Sequence, residues 1–392
     1  MSSYPSIFPC RSVELPCQPM DVSVQGHLVA CGLIDGRVAL LRIPDAAAGG
    51  GGKAVPAPRC MIWRAHRSSC RSAVFLDGAL ASGDASGTIS LSSITRGKRI
   101  SKYGGIDEDV QADPQAANGR GVNCMLALDG SHTFAVGYDS GIVRVFDRRT
   151  LLKAKRAVAS FAAHTDFVSD MDVAMNGRHV VTTSGDGTLA VHDVRASKRI
   201  ARSEDDADDE MLSVKVVKGG KKVVCGHQGG VIDIYSWGYW NDCSDRFPGH
   251  PGPVDTLAKV DEDTVLTGSF DGLVRIVSIQ PNRAIGIVGE HAAEYPIEQL
   301  DLDPITRILA SVSHDSVCKV WSVDALFEED SGRDDRGRGD GEGATTEDAG
   351  ALEANAHGDG GNRVTGRKRA KEGKDLLRDV AKSSRSAFFA DM

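Results

Sequence analysis

The stretch LASVSHDSVCKVWSV, at residues 309–323, decides the fold because six other stretches of the chain repeat its pattern. Each contains an apolar strand, a tight turn ending in glycine or serine, and a second strand with alternating apolar residues. The six are LVACGLIDGRVALLRI at 28–43, LASGDASGTISLSSI at 80–94, FAVGYDSGIVRVFDR at 134–148, VVTTSGDGTLAVHDV at 180–194, VVCGHQGGVIDIYSW at 223–237 and VLTGSFDGLVRIVSI at 265–279.

These units recur at a regular spacing. The last turn residues are Gly36, Gly87, Gly141, Gly187, Gly230, Gly272 and Ser316, at successive separations of 51, 54, 46, 43, 42 and 44 residues. A period of about 40–45 residues with paired strands around a glycine-rich turn is typical of propeller blades. The two longest separations contain insertions at 46–58 and 104–121, which we interpret as surface loops. The sequence predicts an all-β fold, a seven-bladed β-propeller.

The chain divides into a predicted propeller at residues 1–327 and a predicted disordered tail at 328–392. After Trp321 the sequence FEEDSGRDDRGRGDGEG cannot supply the outer strand of the last blade, so we expect a strand around residues 7–15 to close it. The tail is first acidic, with 11 acidic and 3 basic residues at 328–359, and then basic, with 9 basic and 4 acidic residues at 363–392. Its acidic part has few apolar residues to bury, which indicates disorder.

The basic part of the tail contains two candidate motifs. A candidate nuclear-import segment comprises Arg367, Lys368, Arg369, Lys371 and Lys374, and a candidate docking peptide at the end of the tail comprises Phe388, Phe389 and Asp391. Clusters of Lys and Arg of this kind are typical of import signals. The alternative is that this is a solvated basic tail with no partner.

Polar residues of the last unit form a candidate hydrogen-bond network. The unit resembles WD repeats, in which a His before the blade, a Ser or Thr, the turn Asp and a Trp form a buried chain, and here those places are taken by His291, Ser311, Asp315 and Trp321. Partial copies are His164, Thr182 and Asp186, with His192 in place of Trp, and His250, Thr267 and Asp271, with Val277 in place of Trp. Catalysis needs one intact set in one pocket, so these graded copies are predicted to be structural.

We expect no catalytic, cofactor or metal site. The nine cysteines never form a C-x-x-C pair, which removes the spacing of common zinc and iron–sulfur sites. GGGGKA, at 49–54, departs from a phosphate-binding loop in two places, at Ala47 and Ala54. The first twenty residues contain no apolar run typical of a signal peptide, and no stretch is long enough to span a membrane, so we expect a soluble intracellular protein.

Residues outside the repeat pattern resemble the WD-repeat-containing protein 55 family. The matching segments are DDEMLSVKVVKGGKKVVCGHQGG at 208–230, SWG at 236–238 with NDCSDRF at 241–247, DEDTVLTGSFDGL at 261–273, IQPNRAIG at 279–286, EHAAEYPIEQL at 290–300 and FFADM at 388–392. The resemblance implies a non-enzymatic protein-binding scaffold of the nucleus and nucleolus that supports rRNA processing and ribosome biogenesis. It leaves open whether the protein also occurs in the cytoplasm. It also implies ribosome-assembly factors as partners of a monomeric propeller.

Direct RNA binding is not indicated by the charge of the predicted propeller. The whole chain has a net charge of −8, and the two tail segments carry −8 and +5, which leaves about −5 for the rest. RNA-binding surfaces are instead basic, with aromatic platforms.

A second function follows from plant members that resemble substrate receptors of cullin-4 type RING ubiquitin ligases, which dock an adaptor through W-D-x-R boxes. The candidate adaptor-docking residues are Phe146, Asp147 and Arg149 in one box and His192, Asp193 and Arg195 in the other. Phe146, Asp147 and Arg149 are expected to face the adaptor. The alternative is that each Asp caps its strand and each Arg is solvated.

Overall fold

A computed structural model describes residues 8–44, 57–104, 120–128, 132–154, 156–174, 177–204, 209–292 and 295–327, with the backbone alone at 152–154. The predictions for the tail, including Arg367, Lys368, Arg369, Lys371 and Lys374 and the terminal Phe388, Phe389 and Asp391, lie outside these residues. Most of the two predicted insertions lies outside them as well.

The described residues form seven antiparallel sheets of four strands each, which we call blades 1 to 7. In order from the inner to the outer strand, the blades comprise the following strands: blade 1, β2 (Pro19–Gln25), β3 (Leu28–Leu33), β4 (Arg37–Arg42) and β5 (Arg59–Arg64); blade 2, β6 (Cys70–Leu76), β7 (Ala79–Asp84), β8 (Ile89–Ser93) and β9 (Lys98–Tyr103); blade 3, β10 (Val122–Ala127), β11 (Thr133–Tyr138), β12 (Ile142–Asp147) and β13 (Ala159–Ala162); blade 4, β14 (Val168–Ala174), β15 (His179–Ser184), β16 (Leu189–Asp193) and β17 (Lys198–Arg202); blade 5, β18 (Met211–Val217), β19 (Lys222–His227), β20 (Val231–Ser236) and β21 (Asp245–Pro248); blade 6, β22 (Val254–Lys259), β23 (Thr264–Ser269), β24 (Leu273–Ser278) and β25 (Arg283–Glu290); blade 7, β26 (Ile297–Asp303), β27 (Ile308–Ser313), β28 (Val317–Ser322) and β1 (Cys10–Glu14).

The blades form a closed ring. Each inner strand packs against the inner strands of both neighbouring blades, and β26 of blade 7 packs against β2 of blade 1. The predicted seven-bladed propeller is therefore confirmed. Within the described ranges, two short helices interrupt the pattern, α1 (Arg148–Ala154) after β12 and a 3-10 helix (Asp324–Leu326) after β28. The strand spacing did not predict α1, because helix formation here is confined to one loop.

The ring closes with the beginning of the chain. Strand β1 pairs antiparallel with β28, with Cys10 opposite Trp321 and Val13 opposite Cys318. The backbone N–H of Leu15 continues the pairing by donating to the carbonyl of Ser316. This strand falls within the expected stretch of residues 7–15, although it begins three residues later. Residues far apart in the sequence therefore share one sheet.

The tight turns follow from their last residues. Gly141 has a φ of 75°, and a Cβ atom on it would lie 2.4 Å from the carbonyl oxygen of His164. Glycine meets both demands, because it adopts positive φ without steric cost and leaves room for the next chain segment. In blade 7 the equivalent residue is Ser316, with a φ of 62°. Blade 7 therefore tolerates a less favoured residue at this turn.

The core lies between neighbouring blades. Alternate residues of the middle strands point to the two faces of each sheet, so each face packs on the next blade. Val29 and Leu41 of blade 1, for example, share a buried cluster with Ala310 and Val320 of blade 7. These four side chains are at most 5% exposed. Such packing makes each blade depend on both neighbours. Within the described residues, no helix is long and apolar enough to cross a membrane.

Candidate functional site

Blade 7 contains a complete four-residue hydrogen-bond network. His291 follows β25, and its Nδ1 lies 2.9 Å from a carboxylate oxygen of Asp315, while its Nε2 lies 2.8 Å from the Ser311 hydroxyl. Trp321 Nε1 donates to the same hydroxyl at 3.0 Å. Burial lowers the pKa of His291, against the opposing effect of Asp315. For Asp315, burial acts to raise the pKa, but the hydrogen bond and charge of His291 bring it below the usual value.

This network has the bonding pattern of a catalytic triad but not its accessibility. A catalytic serine must reach a substrate carbonyl, whereas Ser311 is fully buried and His291 is 2% exposed. The hydroxyl is also engaged by Trp321. The arrangement supports a network that joins the strands of blade 7 rather than catalysis.

Blade 4 contains a modified copy of the network. His164 Nε2 lies 2.8 Å from the Thr182 hydroxyl, and Nδ1 lies 2.9 Å from the Thr188 hydroxyl and 3.4 Å from Asp186. His192 takes the place of Trp, with its Nε2 3.3 Å from Thr182. Burial, followed by the charge of His164, lowers the pKa of His192 to about 3. His192 is thus a neutral core residue at neutral pH.

Blade 6 contains half of the predicted network. His250 Nε2 lies 2.8 Å from the Thr267 hydroxyl, but the carboxylate of Asp271 is held by the guanidinium of Arg275. Among the described residues, His250 Nδ1 has no hydrogen-bond partner. The predicted hydrogen bond between His250 and Asp271 is therefore wrong, because the guanidinium of Arg275, on β24, binds the Asp271 carboxylate instead. Burial, followed by the charge of Arg275, lowers the pKa of His250 to about 4.

A further network in blade 2 was missed by the sequence analysis. His66 Nε2 lies 2.7 Å from the Ser82 hydroxyl, and Nδ1 lies 3.1 Å from Asp84. Ser92, at the place of the Trp, accepts a hydrogen bond from Trp63 of blade 1. The sequence pattern did not indicate Asp84, because Asp84 follows Ser82 by two residues, whereas Asp315 follows Ser311 by four. A useful signal was the position of His66, 16 residues before Ser82, since His250 precedes Thr267 by 17.

The inner strands β2, β6, β10, β14, β18, β22 and β26 surround a central channel of about 770 Å³. Its lining includes seven carboxylates and two basic side chains, Arg71 and Lys215. This acidic channel was not predicted, because its members come from strands far apart in the sequence. Among the described residues, no group of His, Cys, Asp and Glu is arranged to hold a metal ion.

Several of these carboxylates connect neighbouring blades. They accept backbone N–H hydrogen bonds from the next inner strand: Asp21 from Ala73 at 2.6 Å, Asp170 from Val214 at 2.9 Å and Asp301 from Val24 at 2.7 Å. Burial raises the pKa of Asp21 to about 7, although the Ala73 N–H opposes the shift, and it raises the pKa of Asp301 as well. The sequence signal was an Asp between apolar residues near the start of an inner strand, as in Met-Asp-Val at 20–22.

The first candidate docking segment is partly buried. Phe146 is fully buried, with its ring stacked 5.6 Å from Phe134 and edge-on 5.2 Å from Tyr103. The expectation that Phe146 faces an adaptor is therefore wrong, because its ring belongs to the core between blades 2 and 3. Asp147 accepts from the backbone N–H of Arg149 at 2.7 Å and pairs with its guanidinium, while the Arg149 side chain is 65% exposed.

The second candidate docking segment has the same division. His192 is fully buried, and Asp193 accepts hydrogen bonds from the Arg178 guanidinium at 3.0 Å and from the backbone N–H of Arg195 at 2.9 Å. The residue Arg195 is exposed. In both segments Asp organises the end of a strand, and an arginine is the part that a partner could reach.

Comparison with known proteins places these features in a family. The family model WDR55 matches residues 11–326. WD repeat-containing protein 55 of Arabidopsis thaliana is 36% identical over 312 residues, which cover 79% of this chain and 81% of the relative. WD repeat-containing protein JIP5 of Malassezia globosa is 32% identical over 361 residues, covering 81% and 82%. Rat WD repeat-containing protein 55 is 32% identical over 261 residues, covering 67% and 64%.

A solved structure has the same fold. The WD40 β-propeller domain of Doa1 superposes with a TM-score of 0.64 at 16% sequence identity, over 80% of this chain and 96% of that domain. At this identity the likeness concerns the fold alone.

Proposed function

Since this chain belongs to the WDR55 family of WD-repeat proteins, we propose that it is a non-enzymatic scaffold that holds protein partners together during rRNA processing and ribosome assembly in the nucleolus. Its propeller and family support a protein-interaction role in general. A propeller suits such work because its rigid ring loses little conformational entropy on binding.

The burial of its Ser–His–Asp sets is the observation that carries the non-enzymatic part of the proposal. Ser311, Ser82 and Thr182 are all fully buried, and each is hydrogen-bonded to the histidine of its own blade. Three such sets at the blade period serve the fold, since catalysis requires one set open to substrate. The groups that remain available are those of the exposed surface.

The nucleolar part of the proposal is supported by the resemblance in the second half of the propeller and by the basic segment that contains Arg367, Lys368 and Lys371. Clustered lysine and arginine suit nuclear import. The proposed partners are proteins of ribosome assembly.

A substrate receptor of a cullin-4 type RING ubiquitin ligase is the second candidate function. The exposed Arg149, held beside Asp147 at the end of β12, favours it. Arg195 occupies the same place at the end of β16. In this function the two arginines contact the adaptor, and the buried Phe146 and His192 hold their strand ends in place.

A purification experiment tests both functions. Tagged full-length protein is recovered from nuclear extract as wild type, as Arg149→Glu/Arg195→Glu, and as the control Arg59→Glu/Arg67→Glu, which reverses two exposed charges elsewhere. The scaffold predicts equal recovery of pre-ribosomal proteins by all three proteins. A cullin-ligase adaptor lost only in the first variant would favour the receptor, and the absence of pre-ribosomal proteins from wild type would refute the scaffold.

A further inference from the structure

Two carboxylates lie side by side where the central channel opens at blades 6 and 7. Asp255 is the second residue of β22, and Glu298 is the second residue of β26. Each lies at the point where pairing with the neighbouring strand shifts register, so the two residues occupy equivalent positions on adjacent inner strands. Burial, followed by the charge of Glu298, raises the pKa of Asp255 to about 7. Neighbouring like charges therefore oppose each other at this opening.

Other carboxylates of the channel are compensated within the protein. Asp139 pairs with Arg71 at 2.8 Å, and Asp170 pairs with Lys215 at 3.4 Å. The remaining three, Asp21, Asp166 and Asp301, accept backbone N–H groups at 2.6–2.9 Å.

The pair at blades 6 and 7 is less well compensated. Glu298 lies 2.6 Å from His314, whose side chain is 38% exposed. Among the described residues, Asp255 forms no ion pair. The charge of His314 opposes the rise in the pKa of Asp255 but does not cancel it, so the negative charge here is only partly compensated.

Two exposed aromatic residues lie in the chain segments next to the starts of β22 and β26. Phe270 is 59% exposed, and its backbone N–H donates to the carbonyl of Pro253, the residue before β22, at 3.1 Å. Tyr295 is 42% exposed and precedes β26, and its carbonyl lies 3.0 Å from the place of a Cβ on Gly272, in the same turn as Phe270. Aromatic rings attract cations to their faces, and exposed aromatic rings are common at protein-binding surfaces.

We propose that this opening binds a basic peptide segment of a protein partner, with an arginine or lysine side chain between Asp255 and Glu298 and the neighbouring residues of the peptide on Phe270 and Tyr295. A cation relieves the repulsion between the carboxylates, while the two rings favour a peptide over a free inorganic ion. An acidic opening repels the phosphates of nucleic acid. This inference rests on the proposed function, because it assigns a binding surface to the proposed scaffold.

The test uses purified full-length protein and a short fluorescein-labelled peptide. In this peptide, glycines and one leucine separate the arginines. The control peptide has glutamine in place of each arginine. The protein variants are Asp255→Asn, Glu298→Gln and Phe270→Leu, with Asp77→Asn as a control that removes an equal charge after β6, at the opposite end of an inner strand. Fluorescence anisotropy gives each Kd, and thermal melting shows that each variant is folded. The Asp255 and Glu298 variants are expected to fold, because removal of either charge relieves the repulsion between the two carboxylates.

The proposal predicts that wild type binds the arginine peptide and not the glutamine peptide. Each carboxylate variant should weaken binding about tenfold and Phe270→Leu about threefold, while Asp77→Asn leaves binding unchanged. Equal binding of both peptides, or an equal loss in Asp77→Asn, would overturn the proposal, as would carboxylate variants that bind like wild type. Failure here with pre-ribosomal proteins still recovered from nuclear extract rejects this surface alone, whereas their absence from wild type rejects the scaffold.

Discussion

Replacing Ser311 by alanine should destabilise the propeller more than the equivalent change in blade 6. The Ser311 hydroxyl is hydrogen-bonded to two buried partners, His291 at 2.8 Å and Trp321 at 3.0 Å. In the part of the chain that the structure describes, the Thr267 hydroxyl is hydrogen-bonded to His250 alone, because Val277 stands where blade 7 has Trp321. Thr267→Val is the matched change, since it removes the hydroxyl and keeps the shape of the side chain.

The expected magnitude follows from the number of polar groups left unpaired. Each buried group without a partner costs about 1–3 kcal/mol. Ser311→Ala leaves two such groups and should lower the free energy of unfolding by about 2–6 kcal/mol. Thr267→Val leaves one and should lower it by about 1–3 kcal/mol.

Urea denaturation of full-length protein, followed by tryptophan fluorescence and circular dichroism, measures both changes. The comparison is valid if the dependence on urea concentration is the same for wild type and both variants. A loss in Ser311→Ala equal to or smaller than that in Thr267→Val would refute the reasoning, because the complete network would then contribute no more than the partial one.

Three further predictions concern the ring, its packing and its pH dependence. Deletion of residues 1–15 removes β1 and uncovers β28, so we expect Tm to fall by about 5 °C or more in one cooperative transition; an unchanged Tm in differential scanning calorimetry would show that β1 does not close the ring. Gly289→Ala places a Cβ 2.2 Å from a ring carbon of Trp321 and should cost about 1–3 kcal/mol in urea denaturation, and a variant as stable as wild type would contradict this packing. His192, with a pKa of about 3, stays neutral in the folded state, while the unfolded state takes up a proton below about pH 6.5, so the contribution of this residue to stability is lost as pH falls from about 6.5 towards 3. His192→Phe should therefore reduce the slope of the free energy of unfolding against pH by up to about 1.4 kcal/mol per pH unit. Equal slopes for wild type and variant would show that His192 is protonated in the folded state.

The repeating part of the fold could be predicted from the sequence, because local sequence patterns determine the strands and turns of each blade. The turn glycines and the alternating strands recur every 42 to 54 residues, and partial copies of the His291 network recur with them in the single sequence. The need for an outer strand after Trp321 also pointed to the beginning of the chain. Each of these inferences depends on the order of residues within one blade.

Features that depend on two blades at once were missed. Asp255 and Glu298 are 43 residues apart and meet because adjacent inner strands place them at the same height. The burial of Phe146 depends on Tyr103 of blade 2. Asp271 was assigned to His250 because it follows Thr267 by four residues, as Asp315 follows Ser311 in blade 7, but Arg275 competes for the carboxylate with a full charge. A single sequence shows neither the neighbour across a blade boundary nor the outcome of such competition.

The proposed role in ribosome assembly is tested most directly by acute depletion of the protein, with rRNA precursors and mature rRNA quantified before and after re-expression of wild type. If the protein acts in ribosome assembly, precursors accumulate relative to mature rRNA and re-expression restores the ratio. A precursor ratio that stays constant while the protein is absent would contradict it.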